Sequence, residues 1–271
     1  MKYSLYFFLF FVLAGCCNSN TGVADLESVD LKWDFSQKKR FVYSFSQTID
    51  NSYIQTKNGA VEDSYTTATG NLNIEVTENN LANLSLTNII MTVVIFNENG
   101  LPIDTMSSEM PTTTVEDMGT DGSFSSEDIN VLFAVLLPLP KNEIELNKSE
   151  ELPLEVPFNA GGSLIVSKGF NTLTYTGIET FLNRKCAVIT GEIQVSDMEM
   201  ERELMGKYKN INSGKATYYF DIENKCYVGA DVQFAMEMLM DTESVDSTYG
   251  TYMDLKNDNV FEIRLDRIED L

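Results

Sequence analysis

Five of the oxygen-bearing side chains in the twelve residues 117–128 have the spacing of metal ligands: Asp117, Asp121, Ser123, Ser125 and Asp128. They occupy the first, fifth, seventh, ninth and twelfth places of the segment, and Gly122 occupies the sixth. Calcium binds several hard oxygen ligands, and a short loop with this spacing can wrap one ion. The spacing therefore predicts a weak calcium site, with a helix leaving the loop at its end.

The same segment resembles an EF-hand-type calcium loop, particularly the version found in dockerins. It departs from that pattern because Gly119 stands where a third-position ligand belongs, and because no helix leads into the loop. Asp128 is also shorter than the usual final glutamate. Without calcium, Asp121-Gly122 is a turn signal, and Ser125 with the following acids can cap a helix. Both interpretations stay open.

Ionisable residues elsewhere limit the possible chemistry. The 271 residues include no histidine, which removes the usual general base and the Ser-His and Cys-His pairs. Glu192, Asp231 and Glu237 could act as glycosidase carboxylates, or could simply lie on the solvated face of a sheet. We expect no enzyme, and a carboxylate-dependent hydrolase acting on a glycan or peptide is the alternative. The net charge of −22 argues against nucleic acid as a partner.

A row of methionines is the best candidate for ligand contact. The segment from Cys226 to Met240 alternates strictly, which predicts a strand with Val228, Ala230, Val232, Phe234, Met236, Met238 and Met240 on one face. Asp231, Gln233 and Glu237 then face the other way. Methionine is flexible and polarizable, so such a row suits an irregular apolar ligand, although methionine also fills gaps in ordinary cores. We predict that Phe234, Met236, Met238 and Met240 line a binding surface.

One helix separates two runs of strands in the predicted fold. Ile129, Leu132, Phe133, Leu136 and Leu137 follow helical spacing, and Pro138 and Pro140 end the helix. The flanking segments alternate with period two, which predicts an all-β domain over residues 33–271. Its parts are a first β run (33–124), the helix and proline stop (125–140) and a second β meander (141–271).

Long antiparallel strands favour a curled sheet, a half-barrel or a sandwich. Leu84–Phe96 is apolar on both faces, which predicts a central strand, whereas Leu101–Glu116 reads as an irregular or edge segment. Cys186 and Cys226 open strands that run the same way, with one strand between them. In an exported domain a disulfide is the first expectation. This arrangement, however, places them about 10 Å apart, whereas a disulfide favours Cα atoms about 5.5 Å apart, so we favour two buried, unpaired thiols and leave the disulfide open.

The amino terminus carries a targeting signal. Lys2 precedes the apolar run Tyr3–Leu13, which is too short to span a bilayer, and Leu13-Ala14-Gly15-Cys16 follows. This pattern resembles the lipobox of bacterial lipoproteins. The resemblance implies that residues 1–15 are a signal peptide and that Cys16 is lipidated, with 16–32 a flexible tether. Because Asp does not follow Cys16, the resemblance also implies the outer membrane, facing the periplasm or the cell surface.

The mature part resembles uncharacterised antiparallel-β envelope lipoproteins of Gram-negative bacteria, through its helix, its Leu-Pro step and the strand Gly191-Glu192-Ile193. That resemblance implies no activity. We therefore predict a lipid-anchored, non-enzymatic module that binds an apolar ligand or assembles with an envelope partner. We expect no cofactor apart from the candidate calcium ion.

Replacing Cys16 by Ser tests the anchor. The variant lacks the thiol that receives diacylglycerol, so it should move to the soluble envelope fraction and lose labelling by a fatty-acid analogue. Cell fractionation and gel fluorescence measure both effects. A variant that stays with the membrane and still incorporates label contradicts the lipoprotein interpretation.

Overall fold

The computed structural model describes residues 26–56, 59, 61–124, 131–160, 163–200, 207–242 and 252–271. These residues form β-strands and one short α-helix, so the predicted all-β class is confirmed. The strands are β1 (Ser28–Val29), β2 (Lys39–Ile54), β3 (Glu62–Val76), β4 (Ala82–Phe96), β5 (Pro102–Glu109), β6 (Thr113–Met118), β7 (Ile144–Glu145), β8 (Ser149–Ala160), β9 (Ser163–Phe181), β10 (Arg184–Met200), β11 (Lys207–Asp221), β12 (Cys226–Asp241) and β13 (Tyr252–Asp270). The helix α1 spans Val131–Leu136, and a 3₁₀ turn spans Glu78–Asn80.

Eleven strands form one antiparallel sheet. Its order is β5-β4-β3-β2-β13-β12-β11-β10-β9-β8, and β6 pairs with β4 beside β5. Within the described ranges the two end strands, β5 and β8, do not pair with each other, so the sheet is open. The curled or half-barrel alternative is confirmed, and the sandwich is wrong because both β runs share one sheet.

The pairing of the last strand with the first long one joins the two runs. β13 lies antiparallel to β2 from Asp254 opposite Ile54 to Asp270 opposite Lys39. This pairing puts β13, β12 and β2 in the middle of the order and moves β4 to one strand from the edge. The prediction that Leu84–Phe96 is central is therefore wrong, whereas the edge prediction for Leu101–Glu116 is confirmed by β5.

Side chains that meet across an intervening strand show the curl. Asn210 of β11 donates to Ser167 of β9 at 2.9 Å, over β10. The Tyr43 hydroxyl of β2 likewise donates to the backbone oxygen of Tyr227 on β12, at 2.9 Å and over β13. Strands two apart in a flat sheet are separated by about 10 Å, so these contacts require the sheet to bend towards them. We call this concave side the inner face.

The helix and an N-terminal segment fill one half of the inner face. Tyr218 donates to the backbone oxygen of Val135 in α1 at 2.8 Å, and Tyr227 donates to that of Pro138. Trp33 packs its ring against Phe35 and Phe41, with centroid distances of 5.7 and 5.6 Å. This plug buries the aromatic core of the domain and leaves the other half of the inner face to different contacts.

The end of the predicted helix is confirmed, and its start lies outside the described residues. α1 ends at Leu136, the Leu137 amide still donates to the Phe133 carbonyl, and Pro138 follows. Ser125 to Asn130, where the sequence places the cap and first turn, are not described. Phe133 is 1% exposed, whereas Leu132 is only partly buried. The two neighbouring side chains therefore have different roles.

The two cysteines of the second run are free and buried, as predicted. Cys186 and Cys226 each lie opposite Asp221, on the strand between them. Burial, helped by the Asp221 carboxylate, raises the pKa of each thiol to about 12. Both are therefore neutral near pH 7 and are poor nucleophiles in the folded protein.

The helix should respond unequally to truncation of these two side chains. Phe133→Ala removes a fully buried ring and should lower the free energy of unfolding by about 3–5 kcal/mol. Leu132→Ala should cost less than about 2 kcal/mol, since a leucine reaches the usual core range only when fully packed. Chemical denaturation measures both. Equal losses for the two variants would show that Leu132 is an ordinary core residue.

Candidate functional site

The methionine row lies on the inner face, as the alternation predicts. β12 pairs in unbroken register with β13, which keeps Phe234, Met236, Met238 and Met240 on the side of buried Val232. Gln233 and Glu237 point to the outer face and are exposed. The row lies on the same face of the sheet as the residues that the plug buries, next to the part that α1 covers.

Exposure changes along this one strand. Val232 is completely buried, whereas Phe234, Met236, Met238 and Met240 are each partly exposed. The change occurs at Phe234, opposite the start of the described helix. The three methionines therefore form a floor that solvent reaches from the inner side.

A cavity of about 250 Å³ lies where the helix meets this floor. It is lined by Gln47, Val131, Leu132, Val135, Phe234 and Phe261. These residues come from β2, α1, β12 and β13, so only the assembled sheet creates the cavity. Phe234 was predicted from the sequence, but Gln47 and Phe261 were missed because nothing local shows that their strands adjoin β12.

Asparagines flank the methionine row on both sides. Met236 lies between Asn212 of β11 and Asn257 of β13 in the strand register. Asn210 and Asn259 occupy the next inward-facing positions of these two strands. The sequence carried a signal for them, since Asn recurs at alternate positions in both strands. The floor is therefore amphipathic rather than purely apolar.

The amides of β13 satisfy one another. Asn259 donates to Asn257 Oδ1 at 2.6 Å, and its own Oδ1 accepts from Gln47 Nε2 at 3.2 Å. Asn259 is 8% exposed, so these bonds offset the cost of burying its amide. On the β13 side of the row, the amide groups therefore hydrogen-bond to one another and to Gln47.

Two buried tyrosines hold the helix end of the site. Burial raises the pKa of Tyr218 and of Tyr227 above the usual tyrosine value. Both hydroxyls therefore stay protonated and remain donors to the backbone of the plug. Their bonds fix the position of α1 over the sheet.

The candidate calcium ligands are only partly described. Asp121 Oδ1 accepts from the backbone amide and the hydroxyl of Ser123, and these bonds lower the pKa of Asp121. Gly119 donates to the Ser123 carbonyl at 2.7 Å, which closes the predicted turn. Asp117 is exposed at the end of β6, and no metal-holding group of three side chains occurs in the described ranges. Ser125 and Asp128 lie outside them, so the calcium site stays a prediction.

Two of the three candidate catalytic carboxylates, Asp231 and Glu237, lie apart on the outer face. Asp231 pairs with Arg264, and Glu237 pairs with Lys209, whose hydrogen bond lowers the pKa of Glu237. Six residues of strand separate Asp231 from Glu237, which is about 20 Å. Glycosidase carboxylates lie about 5–9.5 Å apart, so these two do not form such a pair.

The lipidation candidate Cys16 lies outside the described residues. In the part of the chain that the structure covers, no helix is long and apolar enough to cross a membrane. Membrane attachment through Cys16 remains a prediction from the lipobox.

Comparisons with known proteins give only distant similarities. No family model matches the sequence, and no curated protein matches it. A structure that describes lipid–protein interactions in lipovitellin aligns with 88% of this chain and 26% of its own, at 12% identity and a TM-score of 0.46. This chain thus spans about a quarter of the lipovitellin chain. A DUF1329 family protein from Desulfovibrio piger aligns with 83% of this chain and 85% of its own, at 10% identity and a TM-score of 0.15. Both TM-scores are below 0.5, so neither similarity supports an inference about function.

Proposed function

We propose that this protein is a lipid-anchored envelope component that holds an apolar ligand against the inner face of its sheet. One observation carries the proposal: the methionine row is partly exposed on the concave side of the sheet, and Phe234, two residues before Met236, lines a cavity. Lipidation at Cys16 would keep this face near membrane lipids. The ligand would lie along β12, with one end under α1.

The dimensions fit a chain-like ligand. The cavity of about 250 Å³ falls just below the usual size of small-molecule pockets, about 300–1,000 Å³, so it suits one end of a ligand. From Phe234 to Met240 the strand runs about 20 Å. One leaflet of a bilayer has a hydrocarbon depth of about 15 Å. An acyl chain can therefore lie along the row with one of its ends at the cavity.

The alternative role for the methionines is core packing. Packed core positions of this sheet are nearly inaccessible, as Val232, Ile263 and Tyr218 show with 0% exposure. Met236, Met238 and Met240 share that face but remain partly exposed. A flexible, partly exposed row fits an adaptable contact surface better than a rigid core.

The proposed role is non-enzymatic. Support comes from the separation of the outer-face carboxylates and from the absence of histidine in the sequence. No geometric observation favours the hydrolase alternative.

A photoactivatable uncharged alkyl probe tests the proposal on the full-length protein in isolated membranes. After irradiation, peptide mass spectrometry should place the label on β12 around Phe234 to Met240. Met238→Glu should reduce that label at least about tenfold, since an unpaired carboxylate opposes burial against hydrocarbon.

Ile211→Glu provides the matched control, because Ile211 is 38% exposed on the outer face of the neighbouring strand. That variant should label like the wild type. Circular dichroism checks that both variants fold. Label confined to the outer face, or equal labelling of both variants, would rule out the proposed site.

A further inference from the structure

The described inward positions of the sheet beyond the helix carry no charge, although the protein is strongly acidic. The chain has a net charge of −22. On β2 from Gln47 onwards and on β9 to β13, the described inward positions next to the methionine row are apolar, amide, hydroxyl or glycine. By strand register, the Asp, Glu, Lys and Arg of these strand segments occupy outer-face positions, although Asp241 beside Met240 is buried there. A bound anion would therefore find no cation at the described inward positions.

A chain of buried hydrogen bonds crosses the β11 side of the row. Asn212 Nδ2 donates to Asn210 Oδ1 at 3.2 Å, and Asn210 Nδ2 donates to Ser167 Oγ at 2.9 Å. The three residues are 1%, 2% and 0% exposed. Each bond points away from Asn212, which stands beside Met236.

This series of hydrogen bonds leaves one acceptor atom beside the methionine row without a partner. Asn212 Oδ1 is buried and has no hydrogen-bond partner among the described residues. Asn171 Oδ1 is in the same state on β9, where its amide donates to Tyr218. A buried polar atom without a partner destabilises the fold, and native proteins keep few of them. On the β13 side, Asn259 has no such atom, because both its Nδ2 and its Oδ1 make hydrogen bonds.

We propose that the site selects a neutral amphiphile that carries a hydroxyl group, such as a long-chain alcohol or a monoacylglycerol. This inference rests on the proposed function, since it assumes that the methionine row holds the chain. The hydroxyl donates to Asn212 Oδ1 and can also accept, while the alkyl part lies on Met236 and Met238. A fatty-acid anion or a phosphorylated head group lacks a countercharge here, and burying an unpaired charge is costly.

Competition against the uncharged alkyl probe tests the selectivity on the full-length protein. Four competitors of equal chain length are compared at pH 9: an alkane, a primary alcohol, a monoacylglycerol and a fatty acid. The alcohol and the monoacylglycerol should displace the label from β12 at about tenfold lower concentration than the alkane or the fatty acid. This factor corresponds to one net hydrogen bond of about 1–1.5 kcal/mol.

Asn212→Leu and Ser213→Leu form a matched pair, because Ser213 is the next residue of β11 and is exposed on the outer face of the sheet. Asn212→Leu should keep the label but reduce the preference for the alcohol to less than about threefold. Ser213→Leu should keep both the label and the preference. The wild-type competition decides the question even if Asn212→Leu does not fold.

The possible failures are distinct. If β12 is labelled but all four competitors act equally, or the fatty acid acts best, the hydroxyl selectivity is wrong and the apolar site stands. The selectivity is equally wrong if Ser213→Leu, rather than Asn212→Leu, removes the preference. If β12 of the wild-type protein is not labelled, both the proposed apolar site and its proposed selectivity are wrong.

Discussion

The antiparallel pairing of β13 with β2 is the contact on which the domain depends. It joins the first and last long strands of the chain, and with them the two β runs. Without it the first run would be a small meander with one apolar face and no partner to cover it. The pairing also sets Phe261 opposite Gln47, so that both reach the cavity beside Phe234.

The curl that follows from this single large sheet divides its inner face into two halves. In one half, Trp33, Phe133 and the tyrosines that hold α1 form a packed core. In the other, side chains of the same strands are partly exposed, and amides alternate with apolar groups. The first half supplies stability, so the second can remain adaptable. A binding surface on a rigid, well-buried scaffold needs little reorganisation when a ligand arrives.

Local patterns in the sequence predicted the parts of this fold that depend on local geometry. Alternation on β12 put Phe234, Met236 and Met238 on the correct face, because strand side chains repeat with period two. Proline placed the end of α1, and strand counting kept Cys186 and Cys226 apart. Position within the sheet was not predictable in the same way, as the error over β4 shows. Strand order depends on pairing between residues more than 200 positions apart, such as Lys39 and Asp270.

The amphipathic character of the site was hidden for the same reason. In the sequence, nothing distinguishes Asn210 and Asn212 from other strand residues. Their role depends on the curl of the sheet, which places Ser167 of β9 within hydrogen-bond distance of Asn210. The partial burial of Leu132 could not be predicted either, because helical spacing does not show how far the sheet extends over the apolar face of the helix.

The central claim is that the inner face holds a ligand, and native mass spectrometry of the full-length protein extracted from membranes tests it most directly. We expect a species heavier than the protein with its proposed lipid anchor by one small amphiphile, retained at collision energies that strip detergent. Fragmentation should identify an uncharged, hydroxyl-bearing lipid. A protein that shows only the mass of the chain, with or without the proposed lipid anchor, under those conditions would contradict the proposed function.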